Sequence, residues 1–537
     1  MVDILLIQPP IRDFYLTAKR TIPYGLACIA ASLIKEGFSV DIFDGLATAR
    51  SKVLDLPLEM AYLKPYYDRS DLSPFSLFHH FRHYGYSFEH IGQKAKASGA
   101  FLVGISSLFT AYRDEAIRTA ESVKQYHSSC RIVLGGHHPT VMPWDVLQSD
   151  AVDYVLRGEG EISLPILAKA LKSGTSLMNI PGIVFRKPDG MLHCSEPAVM
   201  KNLDTQPLPE TPLIKHSFYK RGNKTSTVVV ASRGCPMSCS YCSIGSSPYI
   251  PYRRRSVESV LAEIDLAITQ HGAGFIDFED ENLSLNKSWF LKLLNQIRCR
   301  YSRSGLELRA MNGLFPTTLD EEVLQAMKAA GFKILNLSLG SISSHQLRRF
   351  KRPDVSQSLS DVLNLTDKCG MEAVVYLIAA APGQDAEDSI RDLLYIASKK
   401  ALVGMSIFYP APASGDYELC KSLGILPEKL TLMRSSVFPL SHSTTRIEAI
   451  TLLRLARIVN FLKSLSSGEL SALKPSSFSK ISLDYLNSRK EIGLQLLRGF
   501  FHDGIIRGIT PDGDIYNHIC SDRLVSLFID GLHCIFP

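Results

Sequence analysis

Three cysteines lie close together in the middle of the chain, in Arg233-Gly234-Cys235-Pro236-Met237-Ser238-Cys239-Ser240-Tyr241-Cys242. Their C-x3-C-x2-C spacing allows three thiolates to wrap around one face of a metal cluster. The segment supplies no fourth ligand, whereas a structural zinc site normally has four. A three-thiolate site therefore leaves one metal position open for chemistry. Zinc binding, a disulfide and ordinary thiols are the alternative interpretations.

The elements around this loop must position the cysteines. Apolar runs between residues 222 and 440 predict six strands, at 227–231, 275–278, 306–309, 334–338, 373–378 and 404–408. Helical periodicity lies between them, for example at 257–270, 319–330 and 356–368. This alternation predicts a parallel, partial (β/α)6 TIM-like barrel with its chemistry at the carboxyl ends of the strands. The cysteine loop directly follows the first strand.

Residues 1–170 show a second α/β pattern. Strands are predicted at 3–7, 39–43, 101–105, 131–134 and 154–156, with helices at 26–36 and 111–125. This pattern predicts a doubly wound parallel sheet that binds its ligand at the carboxyl ends of its strands. Two of these ends carry small or polar residues, Ser106-Ser107-Leu108 and Gly135-Gly136-His137. Small residues let a bulky planar ligand approach the backbone, and serine hydroxyls can contact its polar atoms.

The remaining segments complete the predicted domain organisation. Residues 46–100 form an insertion rich in aromatic side chains, which we expect to pack over the ligand edge or against the second domain. Residues 171–221 contain spaced prolines and are predicted to be a linker between the first domain and the core at 222–440. Residues 441–537 are predicted to be mainly helical, with a helix at 447–465 and a hairpin at 506–515.

The composition is that of a globular protein, with 45% hydrophobic and 21% charged residues and a net charge of +6. Eleven cysteines, an odd number without a paired framework, suit a reducing compartment, so we expect a cytoplasmic protein. No apolar stretch reaches membrane-spanning length, and the start lacks the features of a signal peptide. Basic clusters at 252–255 and 348–352 are interpreted as solvated or anion-binding loops, and nucleic acid is not an expected partner.

The cysteine motif, with Pro236 after the first cysteine and an aromatic residue before the last, resembles the radical S-adenosylmethionine (radical SAM) enzymes. The first domain, with Arg-Gly-Glu-Gly-Glu at 157–161, resembles the cobalamin-binding domain fused to many of them. The resemblance implies a 4Fe-4S cluster on Cys235, Cys239 and Cys242, S-adenosylmethionine at the open iron, and cobalamin. A flavodoxin-like domain that has lost its ligand is the alternative for the first part.

The resemblance also implies a set of cobalamin-binding residues, which comprises Pro9, Ser106, Ser107, Leu108, Gly135, Gly136 and His137. Adjacent histidines rarely face one site, so at most one of His137 and His138 should touch the ligand. The loop at 8–15 lacks a histidine, so no histidine of this loop should hold the lower face of cobalt. Metal binding by the insertion histidines His79, His80 and His83 is a weaker alternative to aromatic packing.

The S-adenosylmethionine-binding residues that the resemblance implies are Tyr241, Asp280, Glu281, Ser341, Pro382 and Gly383. Gly340 stands where many relatives carry a glutamate for the ribose hydroxyls, so ribose contacts must come from Ser341, the backbone or another strand. Helix capping is the alternative role for Asp280 and Glu281, and loop packing the alternative for Tyr241.

These features together predict a cobalamin-dependent radical SAM methyltransferase that acts on an unactivated carbon of an unknown substrate. A cyclase, oxidase or rearrangement enzyme with the same cofactors is one alternative, and a non-catalytic corrinoid or redox sensor is another. The resemblance implies a small-molecule or peptide substrate and an electron donor such as flavodoxin or ferredoxin. No catalytic motif appears in residues 441–537.

Overall fold

The first domain is built on a seven-stranded sheet. The computed structural model describes residues 1–16, 21–67, 69–78, 80–245, 250–302, 304–471, 473 and 488–535. Five parallel strands follow the spatial order second, first, third, fourth, fifth: Val40–Asp44, Ile4–Gln8, Leu102–Ser106, Arg131–Gly135 and Tyr154–Leu156. This is the doubly wound, flavodoxin-like order, as the sequence predicts.

Helices cover both faces of this sheet because successive strand residues point in opposite directions. Ile4 and Leu6 share one core with helices Tyr24–Lys35 and Gly160–Ser173. Leu5 and Ile7 share the other core with helices Phe88–Ser98 and Arg113–Tyr126. Loops at the carboxyl ends of the strands are thereby left uncovered by these helices.

Residues 171–221 differ from the predicted linker. A hairpin, Ile183–Arg186 and Leu192–Cys194, pairs antiparallel with strand Tyr154–Leu156 and extends the first sheet. The apolar residues Ile183 and Val184 are fully buried in this hairpin, which explains why it joins the sheet. The segment therefore belongs to the first domain over its first half, and the linker prediction was wrong there.

The second domain contains the six predicted parallel strands in two groups of three. They are Lys224–Val229, Ala273–Phe278, Glu307–Arg309, Ile334–Gly340, Glu372–Ala379 and Leu402–Ile407. Single bridges, Leu308 to Phe332 and Leu314 to Leu337, connect the two groups into a partial barrel. The main helices around it are Val257–His271, Lys287–Tyr301, Glu321–Ala330, Ser356–Lys368 and Ala386–Ala397.

The insertion and the carboxyl-terminal region pack on this barrel. The insertion contributes a small sheet, Ile11–Asp13 with Ser51–Val53 and Arg82–Tyr84, and its buried residues Tyr67 and Phe75 share one core with the barrel. The carboxyl-terminal region contains helices Arg446–Leu462, Ser467–Ser471, Arg489–Asp503 and Asp522–Ile535 and the hairpin Arg507–Ile509 with Ile515–Asn517. None of the described helices has both the length and the apolar character that crossing a bilayer requires.

Short elements lie at the loops. They are helices Lys64–Tyr67, His137–Val141, Pro143–Val146, Ser344–Arg349 and Gly415–Ser422, and strands Lys220–Arg221, Ser232–Arg233 and Arg253–Arg254. His79 lies outside the described residues, and the His83 imidazole is hydrogen-bonded to the Tyr86 carbonyl at 2.9 Å. Aromatic and backbone packing thus accounts for His83.

We expect Gly136→Ala to destabilise the first domain by about 1–3 kcal/mol. Gly136 has φ +122°, and a Cβ there would lie 2.5 Å from the Ser107 carbonyl oxygen. Gly135→Ala is the matched control, because its Cβ would lie 3.7 Å from the nearest atom, an ordinary contact. Denaturant unfolding of the full chain measures both. Equal losses for the two variants would contradict this account of the turn.

Candidate functional site

A cleft of about 670 Å³ opens at the carboxyl ends of the first sheet. Four of the predicted cobalamin-binding residues, Pro9, Ser106, Ser107 and Leu108, line it. The other lining residues are Gln8, Pro10, Ile11, Tyr15, Thr21, Leu46, Phe109 and Tyr112. The loops after the first and third parallel strands of this sheet, in chain order, therefore meet in one cavity, whereas the predicted residues Gly135, Gly136 and His137 are not among its lining residues.

The lining of this cleft fits a large corrinoid. Leu108 is 42% exposed and offers an apolar contact, whereas the buried Ser107 hydroxyl has no partner among the described residues. A buried polar atom without a partner is costly, so this hydroxyl suits a polar atom of a ligand. The described lining residues include no imidazole, thiol or carboxylate.

The two adjacent histidines have different environments. The His138 imidazole is buried and hydrogen-bonded to Thr110 Oγ1 at 3.2 Å and to Asp145 Oδ2 at 3.1 Å. The His137 side chain is exposed, yet surrounding protein, and then the charge of Arg233, lower its pKa. His137 is therefore the histidine available to a ligand, at the margin where the first domain meets the cysteine loop. Gly135 and Gly136 form the turn before it.

The cysteine loop lies between two short paired strands, Ser232–Arg233 and Arg253–Arg254. Cys239 is buried, whereas Cys235 and Cys242 are partly exposed, and burial raises the pKa of both of these thiols. No three acidic, histidine or cysteine side chains among the described residues converge as they would around one metal ion. The preference for a cluster over zinc rests on the motif, which supplies three thiolates and no fourth ligand.

Ser240 fixes the loop to the rest of the barrel. Its N–H donates to the Phe350 carbonyl at 3.0 Å, and its hydroxyl donates to the Arg349 carbonyl at 3.0 Å. The Ser240 carbonyl in turn accepts from the N–H of Asp416 at 2.8 Å. The segment between the second and third cysteines is therefore held by the fourth and sixth strand loops.

The two predicted carboxylates, Asp280 and Glu281, have different surroundings. Asp280 is 3% exposed and accepts from the Ser232 hydroxyl at 2.5 Å and the Ala231 N–H at 3.2 Å. Burial raises the pKa of this carboxyl to about 7. Glu281 is only partly buried and lies near Gly234 and the thiols of the loop, and burial raises its pKa as well. Asp280 thus supports the loop from behind, and Glu281 is the carboxylate that reaches the site.

Arg352 is a site residue that the sequence analysis missed. Its guanidinium donates to the Tyr241 hydroxyl at 3.0 Å and to the Ser338 carbonyl at 2.7 Å, and it lies 4.0 Å from Cys239 Sγ. Gly340, with φ +84°, leaves room for it, because a Cβ there would lie 3.3 Å from Arg352 Cδ. Arg352 therefore joins the cysteine loop to the fourth strand, beside the position where a glutamate was expected.

Ser341 is not presented to the site. It is fully buried, and its hydroxyl donates to the Asp392 carboxylate at 2.8 Å. The ribose contact through this side chain stays a prediction, and in the structure the buried hydroxyl is occupied by an internal partner. Pro382 is buried and Gly383 exposed in a turn that Gln384 closes by donating to the Ile378 carbonyl at 3.0 Å. Tyr241 packs edge-on against Phe350 with ring centroids 5.0 Å apart.

Ion pairs between the domains hold the cysteine loop against the first sheet. Arg233 pairs with Glu159 at 2.8 Å and with Glu161 at 2.6 Å, and Arg253 pairs with Glu159 at 2.9 Å. Both glutamates come from the Arg-Gly-Glu-Gly-Glu segment at 157–161. The two arginines flank the cysteine loop on both sides, so we refer to these four residues as the ionic latch.

We expect the free energy of unfolding to decrease as the pH rises from about 4 to about 7, because burial raises the pKa of the Asp392 carboxyl from 3.8 to about 7. The folded state then keeps a proton that the unfolded state has lost. Each pKa unit of difference corresponds to roughly 1.4 kcal/mol. Asp392→Asn should therefore lose less unfolding free energy than the wild type between pH 5 and pH 8. Parallel pH curves would contradict this, and exposed Asp367→Asn is the control.

Breaking the ionic latch should cost far more than breaking a surface pair. Glu161→Gln leaves Arg233 with one counter-ion fewer in a site where Glu161 is 6% exposed, so we expect a loss of about 3–5 kcal/mol. The control is Glu36→Gln, which breaks the exposed Lys169 pair in the same domain and should cost about 0–1 kcal/mol. Unfolding free energies of the full chain give both values. Equal costs would show that the latch is not a stabilising contact.

Comparison with known proteins agrees with this two-part site. The B12 binding domain model matches residues 77–168, and the radical SAM superfamily model matches residues 229–394. An uncharacterized methyltransferase of Pyrococcus horikoshii is 27% identical over 477 residues, 86% of this chain and 93% of that protein. An anaerobic magnesium-protoporphyrin IX monomethyl ester cyclase of Rubrivivax gelatinosus is 29% identical over 257 residues, 46% of this chain and 44% of that protein.

The fold also matches a solved structure. The radical S-adenosylmethionine methyltransferase TsrM from Kitasatospora setae, with cobalamin and a 4Fe-4S cluster bound, has a TM-score of 0.60 and 17% identity. The match covers 82% of this chain and 81% of that one. The predicted resemblance is confirmed: the chain is a radical SAM enzyme with a B12-binding domain, and its cofactors are a 4Fe-4S cluster, S-adenosylmethionine and cobalamin.

Proposed function

We propose that this enzyme methylates an unactivated carbon of its substrate in a cobalamin-dependent reaction. One observation carries the proposal: the ionic latch holds the cysteine loop against the carboxyl-end edge of the sheet that forms the cleft. A methyl carrier in the cleft and a radical source at the loop would then be held at the same interface between the two domains. That arrangement supports transfer between them, because reactive groups need proximity and protection from water.

When bound, the cluster and cobalamin supply reductive cleavage of S-adenosylmethionine and a transferable methyl group. The protein's own residues bind and orient. We assign Cys235, Cys239 and Cys242 to the cluster and the Glu281 carboxylate to the methionine amino group, with which it can form a charge-assisted hydrogen bond. Tyr241, Pro382 and Gly383 are assigned to the adenine side.

Arg352 takes part in the same assignment. Its guanidinium stands at the end of the fourth strand, where Gly340 offers no side chain and the Ser341 hydroxyl is held by Asp392. A cation at this position can donate hydrogen bonds to a carboxylate or hydroxyl oxygen of S-adenosylmethionine, whereas the glutamate of many relatives would accept them. We therefore assign Arg352, rather than Ser341, to S-adenosylmethionine.

The cobalamin assignment keeps the predicted residues and adds two. Pro9, Ser106, Ser107 and Leu108 line the cleft, and we keep His137 and the Gly135-Gly136 turn before it in the assignment because His137 is exposed at the end of the neighbouring strand. Tyr15 and Tyr112 also line the cleft, although no sequence motif indicated them. The partners that we propose are a small-molecule or peptide substrate and a low-potential electron donor such as flavodoxin or ferredoxin.

Ring closure or oxidation without methyl transfer is the second candidate. The similarity to a magnesium-protoporphyrin IX monomethyl ester cyclase favours it, although that match covers less than half of either chain. Both candidates use the same cofactor site. They differ only in whether a methyl group leaves S-adenosylmethionine and enters the product.

The decisive test is anaerobic reconstitution with iron, sulfide and hydroxocobalamin, followed by turnover with methyl-labelled S-adenosylmethionine and cell extract as the substrate source. We expect stoichiometric corrinoid, 5′-deoxyadenosine formation and label in a product. Cys239→Ala should abolish 5′-deoxyadenosine formation, because it removes a cluster ligand. The control Cys299→Ala changes an exposed cysteine and should retain it.

Deoxyadenosine without labelled product would favour ring closure or oxidation over methylation. Cluster and corrinoid binding without any cleavage of S-adenosylmethionine would instead favour a sensor. Cleavage retained in Cys239→Ala would contradict the cluster assignment.

A further inference from the structure

Three arginines lie together outside the two cofactor sites. Arg454 and Arg457 come from helix Arg446–Leu462, and Arg489 begins helix Arg489–Asp503. Arg454 is 2% exposed; it donates to the Phe75 carbonyl at 3.2 Å, and its Nε has no partner among the described residues. We refer to these three residues as the arginine cluster.

Among the described residues, no carboxylate forms an ion pair with a member of the arginine cluster. Arg489 donates to neutral partners, the Ser73 carbonyl at 2.9 Å and the Ser76 hydroxyl at 3.2 Å. Asp71 is the carboxylate whose charge reaches Arg454 and Arg457, and it is already bonded to the His518 imidazole at 2.9 Å and the Ser73 hydroxyl at 3.0 Å. Enclosed cations without counter-ions are costly, so the cluster is poised for an anion.

Arg457 is the member that a ligand can reach. It is partly exposed and makes no hydrogen bond or ion pair with the described residues. Burial, and then the charges of Arg454 and Arg489, lower its pKa to about 10. Its guanidinium lies 5.8 Å from the centre of the Phe78 ring.

An aromatic surface connects Arg457 with the cofactor cleft. Phe78 stacks on Tyr15 with ring centroids 5.0 Å apart and planes inclined by 18°. Tyr15 is 41% exposed and lines the cleft. A ligand that extends from the cleft along Tyr15 and Phe78 would therefore meet the guanidinium of Arg457.

We propose that Arg457 binds an oxyanion of the substrate, a carboxylate or phosphate-type group, while Tyr15 and Phe78 contact an apolar part of the same molecule. The guanidinium fork suits two oxygen atoms of one anionic group, and the charges of Arg454 and Arg489 strengthen the attraction. The substrate class is thus an acidic small molecule or peptide. The proposal rests on the proposed function only in assigning the anion to the substrate, since anion binding itself needs no turnover.

The test uses the full chain loaded with iron-sulfur cluster, hydroxocobalamin and S-adenosylmethionine, so that the cofactor sites are filled. Inorganic phosphate, and separately acetate, is titrated against chloride at constant ionic strength while thermal unfolding is followed. We expect a saturable rise in Tm for the wild type with at least one of the two anions. Arg457→Gln should weaken the apparent Kd about tenfold or more, because it removes the charge-assisted hydrogen bonds to the anion.

Two further variants sharpen the result. Arg457→Lys should lose part of the affinity, because it keeps the charge and loses the fork. If Arg457→Gln does not fold, the anion affinity of Arg457→Lys is compared with that of the wild type instead. Arg298→Gln, exposed on helix Lys287–Tyr301, should bind like the wild type.

Absence of a saturable rise with either anion, or equal affinities for wild type and the Arg457 variants, would overturn the proposal. Cleavage of S-adenosylmethionine without substrate should persist in Arg457→Gln. If Arg457→Gln loses anion binding but still cleaves S-adenosylmethionine, the loss is specific to the anion site. If the wild type binds anions but transfers no methyl group, the proposed function fails and the anion site stands.

Discussion

The structure depends on a buried set of ion pairs between its two domains. Glu159 and Glu161 follow the last parallel strand of the first sheet, and Arg233 and Arg253 flank the cysteine loop of the barrel. Enclosed ions tolerate little displacement, because each loses solvation that only its partner replaces. The latch therefore fixes a cleft and a metal-binding loop, which belong to separately folded sheets, at one edge.

A second junction between the domains lies next to the cleft. Arg434, which follows the sixth barrel strand, is 7% exposed and donates to the Arg12 carbonyl at 2.7 Å and the Ala111 carbonyl at 2.8 Å. Asp13 accepts from the Ser436 hydroxyl at 2.9 Å in the same place. Because Arg12 and Ala111 are chain neighbours of the lining residues Ile11 and Tyr112, these contacts tie the cleft loops to the barrel, and the latch is a second buried connection between the domains.

The sequence predicted what local patterns determine and missed what distant partners determine. Strand periodicity located all six barrel strands, and the strand-end residues Ser106 and Ser107 do line the cleft. The hydrogen bond from Ser341 to Asp392 was not anticipated, because Asp392 is distant in the chain. Arg352 was overlooked within a basic run for the same reason, since nothing local indicates that it reaches Tyr241. The hairpin at 183–194 did have a local signal, an apolar strand before Pro188-Asp189-Gly190, which the spaced prolines obscured.

The electrostatics of the cysteine loop follow from these long-range contacts. As ligands of a cluster, three thiolates together with Glu281 would concentrate negative charge there, whereas burial raises the pKa of the Cys235 and Cys242 thiols. Arg352 approaches from the loop after the fourth barrel strand, and Arg233, which directly precedes the cysteine loop, is paired with the first domain through Glu159. A glutamate in place of Gly340 would add another negative charge at the position where Arg352 needs space. Gly340 and Arg352 therefore belong together. Gly340, with its positive φ, leaves space for the guanidinium, and the guanidinium offsets negative charge at the cysteine loop.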